Sequence, residues 1–285
     1  MHKKRVRNRI IWSIVVIVIL IAGWFSFGPT EGSNTASQKV VTVGVVGLTK
    51  QDETIWKSVA KTAKEKYGIT IKLKNFTDYN QPNKALANGD IDLNSFQHYA
   101  FLSSWNKANN GSIVSIGNTY IAPIRIYSKK YKSIKDLPDG ATIAIPNDAS
   151  NESRALYVLK NAGLIKLKKG VKLATIADIS SNPKHLKIKE VSAEQTARVI
   201  DDVDASIVNN TYAAPAKLGN KETIYVEPLN KDSKQWINII AVDKKNKNKK
   251  IYKEVVKAFQ TEKTKKLVKK LYGSTEVTAW GLKLK

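Results

Sequence analysis

The sequence has no cysteine and only three histidines in 285 residues. Without cysteine, the chain can form neither disulfides nor thiolate metal sites. The histidines (His2, His98 and His185) lie far apart in sequence and show no metal-ligand spacing. There is also no Gly-x-Ser-x-Gly elbow, no glycine-rich phosphate loop and no convincing Ser/His/Asp set. We therefore expect no metal, no cofactor and no enzymatic activity.

The first 27 residues combine a basic start with a long uncharged run. Five positive charges come first, on Lys3, Lys4, Arg5, Arg7 and Arg9. The 18 residues from Ile10 to Phe27 carry no charge. As a helix they would span about 27 Å, close to the roughly 30 Å hydrocarbon core of a bilayer. The positive-inside rule then places the basic start in the cytoplasm and everything after Phe27 outside.

The residues at the end of this run bear on whether it is a cleaved signal peptide or an anchor. Cleavage requires small residues in an Ala-x-Ala-like pattern. Both Ala22-Gly-Trp24 and Gly28-Pro-Thr-Glu31 match that pattern poorly. We therefore predict a cytoplasmic flank and single-span membrane anchor at residues 1–27, and a flexible tether at residues 28–38. Cleavage and secretion of the extracytoplasmic domain is the alternative.

The net charge of +24 is a large excess of one sign. Five of these charges lie in the first nine residues, which leaves +19 for the rest of the chain. The lysines come as singles and short clusters, without the aromatic-interleaved basic motifs of nucleic-acid modules. Because the location is extracytoplasmic, the excess suits anionic lipid and wall polymers better. We expect no nucleic-acid partner, and a surface adhesin or sensor is the alternative function.

From Lys39 onward, strand-like and helix-like segments alternate. A β-branched run from Lys39 to Gly47 precedes a helical segment from Gln51 to Tyr67 and an alternating strand from Ile69 to Phe76. A helix-length connection of this kind implies a parallel, right-handed strand–helix–strand unit. A second such series follows the strand-like passage from Ile113 to Ile126. One amphipathic helix is predicted from Lys249 to Leu271.

This alternation predicts an α/β fold of two lobes. Lobe 1 comprises residues 39–122 and 227–285, and lobe 2 comprises residues 123–226. Clefts between such lobes, at the carboxyl ends of strands, are where small ligands bind.

The stretch from Thr142 to Arg154 supplies the first candidate for that cleft. A short strand leads into a polar turn, and a helix is predicted to open at Asn151, capped by Ser150 or Asn151, with Arg154 in its first turn. A cation at that end opposes the helix macrodipole, which suggests an anion in front of the arginine. A solvated surface arginine is the plain alternative. Arg125 is a second candidate, and periodicity cannot separate the two.

Other predicted strand ends carry amides and aromatic groups, namely Tyr79, Phe96, His98, Phe101, Asn209 and Asn238. A guanidinium with amides suits the carboxylate and ammonium groups of an amino acid. Aromatic rings suit an apolar or thioether side chain. Each residue also has a plain alternative: the phenylalanines as core, His98 as a packing histidine, and Asn209 as a cap or turn.

Four segments resemble a known family when they are taken in order. They are Phe76-Thr-Asp-Tyr-Asn-Gln-Pro-Asn83, Asp92-Leu-Asn-Ser-Phe-Gln-His98, Ile145-Pro-Asn-Asp-Ala-Ser-Asn-Glu-Ser-Arg154 and Asp202-Val-Asp-Ala-Ser-Ile-Val-Asn209. They resemble the NlpA family, the methionine-binding proteins of the methionine-uptake ABC transporter. The resemblance covers nearly everything from Lys39 on. It implies a monomeric, two-lobe binding protein of the periplasmic (type II-like) class that closes over L-methionine, D-methionine or methionyl peptides. Its partners would be the transporter permease and its ATPase.

The resemblance also implies roles for individual residues. Arg154 would pair with the ligand carboxylate, because the family motif Asn-x-x-Arg falls on Asn151 and Arg154 and excludes Arg125. The polar end of the ligand would contact Asn209 and Asn238, and the side-chain pocket would be lined by Tyr79, Phe96 and His98. Phe101 stands where the family often has tyrosine. Arg154→Ala is expected to abolish binding with the fold intact.

One departure from the family concerns the membrane attachment. Family members are usually lipoproteins attached through a cysteine, and this chain has none. The predicted transmembrane anchor would take the place of the lipid.

Overall fold

The computed structural model of the protein describes residues 39–284. The predicted anchor at residues 1–27 and the tether at residues 28–38 lie outside this part of the chain. Among the described residues, the helices are all too short or too polar to cross a bilayer.

The described chain alternates between strands and helices. The strands are β1 (Lys39–Val46), β2 (Ile69–Phe76), β3 (Leu93–Asn94), β4 (Ile113–Asn118), β5 (Tyr120–Ile121), β6 (Arg125–Tyr127), β7 (Thr142–Pro146), β8 (Lys166–Leu167), β9 (Ile179–Ser181), β10 (Lys187–Val191), β11 (Ala205–Val208), β12 (Thr223–Val226), β13 (Ile239–Asp243) and β14 (Val277–Thr278). The α-helices are α1 (Lys50–Tyr67), α2 (Gln81–Asn88), α3 (Tyr99–Asn109), α4 (Ala149–Asn161), α5 (Asn210–Ala213), α6 (Lys250–Phe259) and α7 (Glu262–Tyr272). Short 3-10 turns join several of them.

Two five-stranded sheets organise these elements. The first has the order β2-β1-β3-β13-β4, and the second has the order β10-β7-β11-β6-β12. In each sheet the first three strands are parallel, and the fourth is antiparallel to both of its neighbours. The chain passes to the second sheet between β4 and β6 and returns between β12 and β13. The prediction of an α/β fold is confirmed, and the structure shows that it is built on two sheets. The division into lobes at residues 39–122 with 227–285 and at residues 123–226 stays a prediction.

The first core forms between the first sheet and helices α1, α6 and α7. Helix α1 begins with a reciprocal capping box between Thr49 and Asp52, and it ends at Gly68, whose φ of 68° is readily adopted by glycine. Its buried side, which includes Trp56 and Val59, packs against the sheet and against Phe259 of α6. Burial of this apolar face holds the helix on the sheet.

The C-terminal tail forms two helices, so the prediction of one helix from Lys249 to Leu271 is wrong. Helix α6 ends at Phe259, and Thr261 then caps α7 by accepting a hydrogen bond from the backbone N–H of Thr264 at 3.1 Å. The strand-like passage from Ile113 to Ile126 is likewise divided, into β4, β5 and β6. These breaks carry the chain from one sheet toward the other.

Candidate functional site

A cavity lies where the strand ends of the two sheets meet. All of the predicted site residues line it: Tyr79, Phe96, His98, Phe101, Asn151, Arg154, Asn209 and Asn238. The rival arginine, Arg125, does not line it. The structure thus brings the predicted residues together, whereas their roles toward a ligand remain a prediction.

Sheet topology explains this convergence. Phe96 and His98 follow β3, the helix that carries Asn151 and Arg154 follows β7, and Asn209 directly follows β11. The carboxyl ends of parallel strands lie at one edge of their sheet. Strand β13 runs antiparallel to β3, so the residue before β13 lies at the same edge as the residues after β3. This residue is Asn238, which forms a β-bridge with His98.

Aromatic rings form an apolar wall of the cavity. The ring centroids of Tyr79, Phe96 and Phe101 are each 5.8 Å from one another. Tyr212, from helix α5 beside the second sheet, packs on Tyr79 at 5.1 Å and was not identified from sequence. Such a wall suits an unbranched apolar or thioether side chain.

His98 is held in one tautomer. Its Nδ1 accepts a hydrogen bond from the backbone N–H of Phe101 at 3.0 Å and so caps helix α3. The proton therefore sits on Nε2, which lies 3.3 Å from the side-chain oxygen of Asn151. Burial, followed by the nearby charge of Arg154, lowers the pKa of His98 to about 3. The residue is a neutral packing group and also part of the cavity wall.

Asn151 and Asn209 form the polar side of the cavity. The side-chain oxygen of Asn151 accepts from His98 and from Nδ2 of Asn209 at 2.9 Å, while its Nδ2 donates to Asp148 at 2.8 Å. The Oδ1 atom of Asn209 is buried and has no hydrogen-bond partner among residues 39–284. Buried acceptors are nearly always paired, so this oxygen is suited to a donor placed in the cavity.

Arg154 is buried and already partly paired. Its Nε donates to one carboxylate oxygen of Glu227 at 3.0 Å, and its Nη2 donates to the other oxygen and to the carbonyl of Ala122. The guanidinium also lies 4.9 Å from the ring centroid of Trp236. Within the described chain, Nη1 makes no hydrogen bond. This amino group can donate to an anion in the cavity.

Helix α4 begins earlier than predicted. Asp148 caps it by accepting from the backbone N–H of Asn151 at 3.0 Å, and it also accepts from the hydroxyl of Ser150. The expectations that Ser150 or Asn151 caps the helix and that Arg154 lies in its first turn are therefore wrong. Glu227, rather than an anion at the helix start, stabilises the charge of Arg154. No local signal in the sequence marks Glu227 as its partner.

Arg125 lies in β6 and is almost fully buried, with 4% of its surface exposed. Its Nη1 donates to the carbonyl of Pro123 at 3.4 Å, and its Nε has no partner among the described residues. Since the side chain does not line the cavity, the geometry favours Arg154 as the cation of this site.

A buried network of amides supports the cavity wall from behind. Nδ2 of Asn83 donates to Gln97, while Oδ1 of Asn83 accepts from Gln97 at 2.7 Å and from Asn94 at 2.9 Å. Gln97 also donates to Asn94 at 3.0 Å. Because Gln97 lines the cavity and precedes His98, the network fixes the segment that carries the aromatic wall.

Acidic and histidine side chains are not grouped in a way that could hold a metal ion in residues 39–284. The chemistry of the cavity is that of hydrogen bonding, one cation and aromatic packing. It can hold a small zwitterion with an apolar side chain.

Comparison with known proteins gives consistent matches. The family model described as NlpA lipoprotein matches residues 41–280. The D-methionine-binding lipoprotein MetQ of Yersinia pestis is 42% identical over 224 residues, which are 73% of this chain and 80% of that protein. The structure of a nutrient binding protein from Burkholderia cenocepacia bound to methionine is 46% identical, with a TM-score of 0.79. The match covers 84% of this chain and 99% of the Burkholderia chain. The substrate binding protein of a methionine transporter from Streptococcus pneumoniae is 44% identical, with a TM-score of 0.80. The match covers 85% of this chain and 96% of the Streptococcus chain.

Proposed function

The chain belongs to the NlpA lipoprotein family, and from this premise we propose that it is an extracytoplasmic solute-binding protein that captures L-methionine for an ABC importer. The observation that carries the proposal is the presence of two unused hydrogen-bonding positions in one cavity. They are the Nη1 amino group of Arg154 and the buried Oδ1 atom of Asn209. One is a cationic donor and the other is an acceptor, as a zwitterion requires.

The head group of the ligand would use both positions. Nη1 of Arg154 donates to the α-carboxylate, and a hydrogen bond between charged groups is stronger than one between neutral groups. Oδ1 of Asn209 accepts from the α-ammonium group. Asn238, at the edge of the first sheet, completes the polar end.

The side chain of the ligand would lie against the aromatic wall. Sulfur packs well against ring edges, and Tyr79, Phe96 and Phe101 present their rings at mutual angles rather than in a stack. Phe101 provides no hydroxyl group, so this part of the wall contributes packing alone. A thioether therefore fits it better than a polar side chain would.

Capture would proceed by closure of the two lobes, in the manner of type II binding proteins. The cavity takes residues from both sheets, and His98 reaches Asn151 across it. A ligand that contacts both sides stabilises the closed form by its differential affinity. The transporter permease and its ATPase are the partners, and the protein acts as a monomer held at the membrane by residues 1–27.

The names of the relatives support this class of function. The three reported above are described as a methionine-binding lipoprotein, a nutrient binding protein and a transporter substrate binding protein, and none is named as an enzyme, an adhesin or a sensor. The name of the Yersinia protein specifies D-methionine rather than L-methionine. Both isomers are therefore included in the binding experiment below.

A thermal-shift panel tests the proposal. The full-length protein is melted with each of the twenty amino acids, with D-methionine and with methionyl dipeptides. L-Methionine at a hundredfold excess over its Kd should stabilise the protein by about 2.7 kcal/mol and raise its melting temperature. A protein that melts cooperatively and responds to none of the methionine compounds would refute the methionine assignment.

A further inference from the structure

A buried carboxyl group, Glu276, lies at the same cavity and has no part in the function proposed above. It stands between helix α7 and strand β14, and only 4% of its surface is exposed. It lines the ligand cavity and also a second cavity, which Asp52 and Tyr272 line as well. Glu276 thus lies between the two cavities.

Glu276 joins the two sides of the molecule. Its Oε1 accepts a hydrogen bond of 2.8 Å from Nδ2 of Asn210. Asn210 is the first residue of α5 and follows β11 of the second sheet by one intervening residue. Glu276 lies in the short segment after α7, which packs in the core of the first sheet. Its Oε2 is buried and has no hydrogen-bond partner within residues 39–284.

The groups that face Glu276 leave a negative charge there poorly stabilised. Asp52 approaches from α1, Tyr272 from α7, Tyr120 from β5 and Asn210 from α5. Lysine and arginine form no ion pair with Glu276 in the described part of the chain. Burial, and then the charge of Asp52, raise the pKa of Glu276 well above its usual range.

Asp52 has a different environment, with more hydrogen-bond donors than Glu276 has. Its two oxygens accept hydrogen bonds from the backbone N–H of Thr49 at 3.0 Å, from the hydroxyl of Thr49 at 2.6 Å and from the hydroxyl of Tyr272 at 2.7 Å. Glu276 has a single neutral donor. The raised pKa of Glu276 favours its neutral acid form, in which Oε2 presents an O–H group.

We propose that Glu276 is a positioning residue for cleft closure, whose carboxylate takes up one proton from solvent as the cleft closes on ligand. The neutral acid then accepts from Asn210 and holds the α5 side of the cavity in place. In the open form the carboxylate is solvated and ionised. This inference rests on the proposed function, because it assumes that ligand closes the cleft.

The coupling gives ligand affinity a defined pH dependence. Because the closed form binds the proton more tightly than the open form, closure is favoured at low pH and opposed at high pH. Above the ordinary pKa of a glutamic acid, Kd should rise as pH rises, by up to about tenfold per pH unit until the pKa of the closed form is passed.

Calorimetric titration of L-methionine into the full-length protein tests this inference. The titration is run at pH 7.5 in two buffers of different ionisation enthalpy, so that proton exchange is measured directly. At this pH His98 is neutral in either form and the ligand is a zwitterion. Wild-type protein should take up protons on binding, up to one per ligand bound. Glu276→Gln keeps the shape and the acceptor for Asn210 but needs no proton to close, so it should take up none and should bind more tightly than wild type at pH 7.5.

A matched control and a ligand-free measurement make the test decisive. Glu262→Gln makes the same chemical change on the exposed face of α7 and should behave as wild type. Binding without proton uptake, or uptake that persists in Glu276→Gln, would overturn the inference while leaving methionine binding established. Chemical denaturation without ligand is the second test. The open form holds Glu276 solvated and ionised, so the free energies of unfolding of wild type and Glu276→Gln should change in parallel between pH 5.5 and 8. A wild-type stability that falls relative to Glu276→Gln over this range would show that Glu276 is buried and neutral without ligand and would overturn proton uptake on closure.

Discussion

Arg154 and Glu227 form a buried ion pair in which Nε and Nη2 of the guanidinium donate to the two carboxylate oxygens. The exposed fractions of the two side chains are 4% and 6%. The pair fixes the plane of the guanidinium of this cavity-lining residue and leaves Nη1 without a hydrogen-bond partner among residues 39–284. The arginine is therefore positioned by the protein before ligand arrives, which reduces the ordering that binding requires.

Arg154→Ala should abolish methionine binding and also destabilise the protein. Loss of the guanidinium removes the ligand donor and leaves Glu227 buried without its partner, a change that typically lowers the free energy of unfolding by about 3–5 kcal/mol. The expectation from sequence, that the fold stays intact, is therefore revised. Urea denaturation and ligand titration measure the two effects. Unchanged stability would show that the pair does not form in solution.

The double variant Arg154→Met/Glu227→Gln should separate stability from binding. It removes both buried charges, so it should recover much of the lost stability but not the affinity. Arg125→Met serves as the control because Arg125 does not line the cavity, and it should change Kd by less than about threefold. Loss of binding in Arg125→Met with retention in the double variant would reverse the assignment of the two arginines.

Asn209→Ala should weaken methionine binding by about 10–100-fold, which corresponds to the 1.5–3 kcal/mol of a hydrogen bond to a charged group. The reason is that Oδ1 of Asn209, a residue that lines the cavity, is a buried acceptor without a hydrogen-bond partner among residues 39–284. An analogue that lacks the α-amino group, 4-(methylthio)butanoate, is the matched ligand control. It should bind weakly to both proteins, with nearly equal Kd. An equal loss of affinity for methionine and for the analogue would place the ammonium elsewhere.

His98→Asn should flatten the acid side of the stability profile. Burial, and then Arg154, depress the pKa of His98 to about 3. The unfolded chain therefore binds a proton below about pH 6.5 that the folded protein rejects. Stability from this group is complete above pH 6.5 and falls as pH falls, by about 2 kcal/mol at pH 5. Asparagine keeps a cap acceptor for Phe101 without titrating. Denaturation at pH 7.5 and pH 5 should show the extra loss in wild type alone, and equal losses would contradict a neutral His98.

Asn83→Ala should destabilise the protein through the amide network. The change leaves Asn94 and Gln97 without Oδ1 of Asn83 as their shared acceptor, at a cost of about 1–3 kcal/mol for each buried amide left unpaired. Asn109→Ala is the control, because Asn109 is exposed and donates only to the carbonyl of Trp105. Its free energy of unfolding should change by less than about 0.5 kcal/mol. Similar losses in the two variants would show that the network is not essential.

The fold was predictable wherever the signal is local. Strand β2 lies at Ile69–Phe76 as predicted, and α1 differs by one residue, because alternation and a terminal glycine are local features. The start of α4 was missed since Asp148, Ser150 and Asn151 are all good caps, and only the three-dimensional structure shows that Asp148 takes this role. Local sequence could not rank them.

The predicted bounds of the tail helix and of the helix after β11 were wrong for a related reason. Thr261 fits the helical period of the tail, so its role as the cap of α7 is not evident from periodicity. The sequence from Asn210 to Leu218, followed by Gly219, also predicts one helix, but helix α5 ends at Ala213 and Lys217 takes a φ of 57°. In both cases the helix ends earlier than the local sequence pattern predicts.

For the site, sequence identified the residues at strand ends but not their partners. Glu227 reaches Arg154 across 73 positions, and Tyr212 reaches Tyr79 from the other sheet. Neither contact follows from periodicity, because each depends on how the two sheets are placed together. Residues that position a site from a distance in sequence are therefore the ones that sequence reasoning misses.

Equilibrium dialysis with radiolabelled L-methionine tests the central claim most directly. The full-length protein should retain one label per chain at saturation, unlabelled L-methionine should displace it, and the folded Arg154→Met/Glu227→Gln variant should retain none. A wild-type protein that unfolds cooperatively yet retains no displaceable methionine would contradict the account.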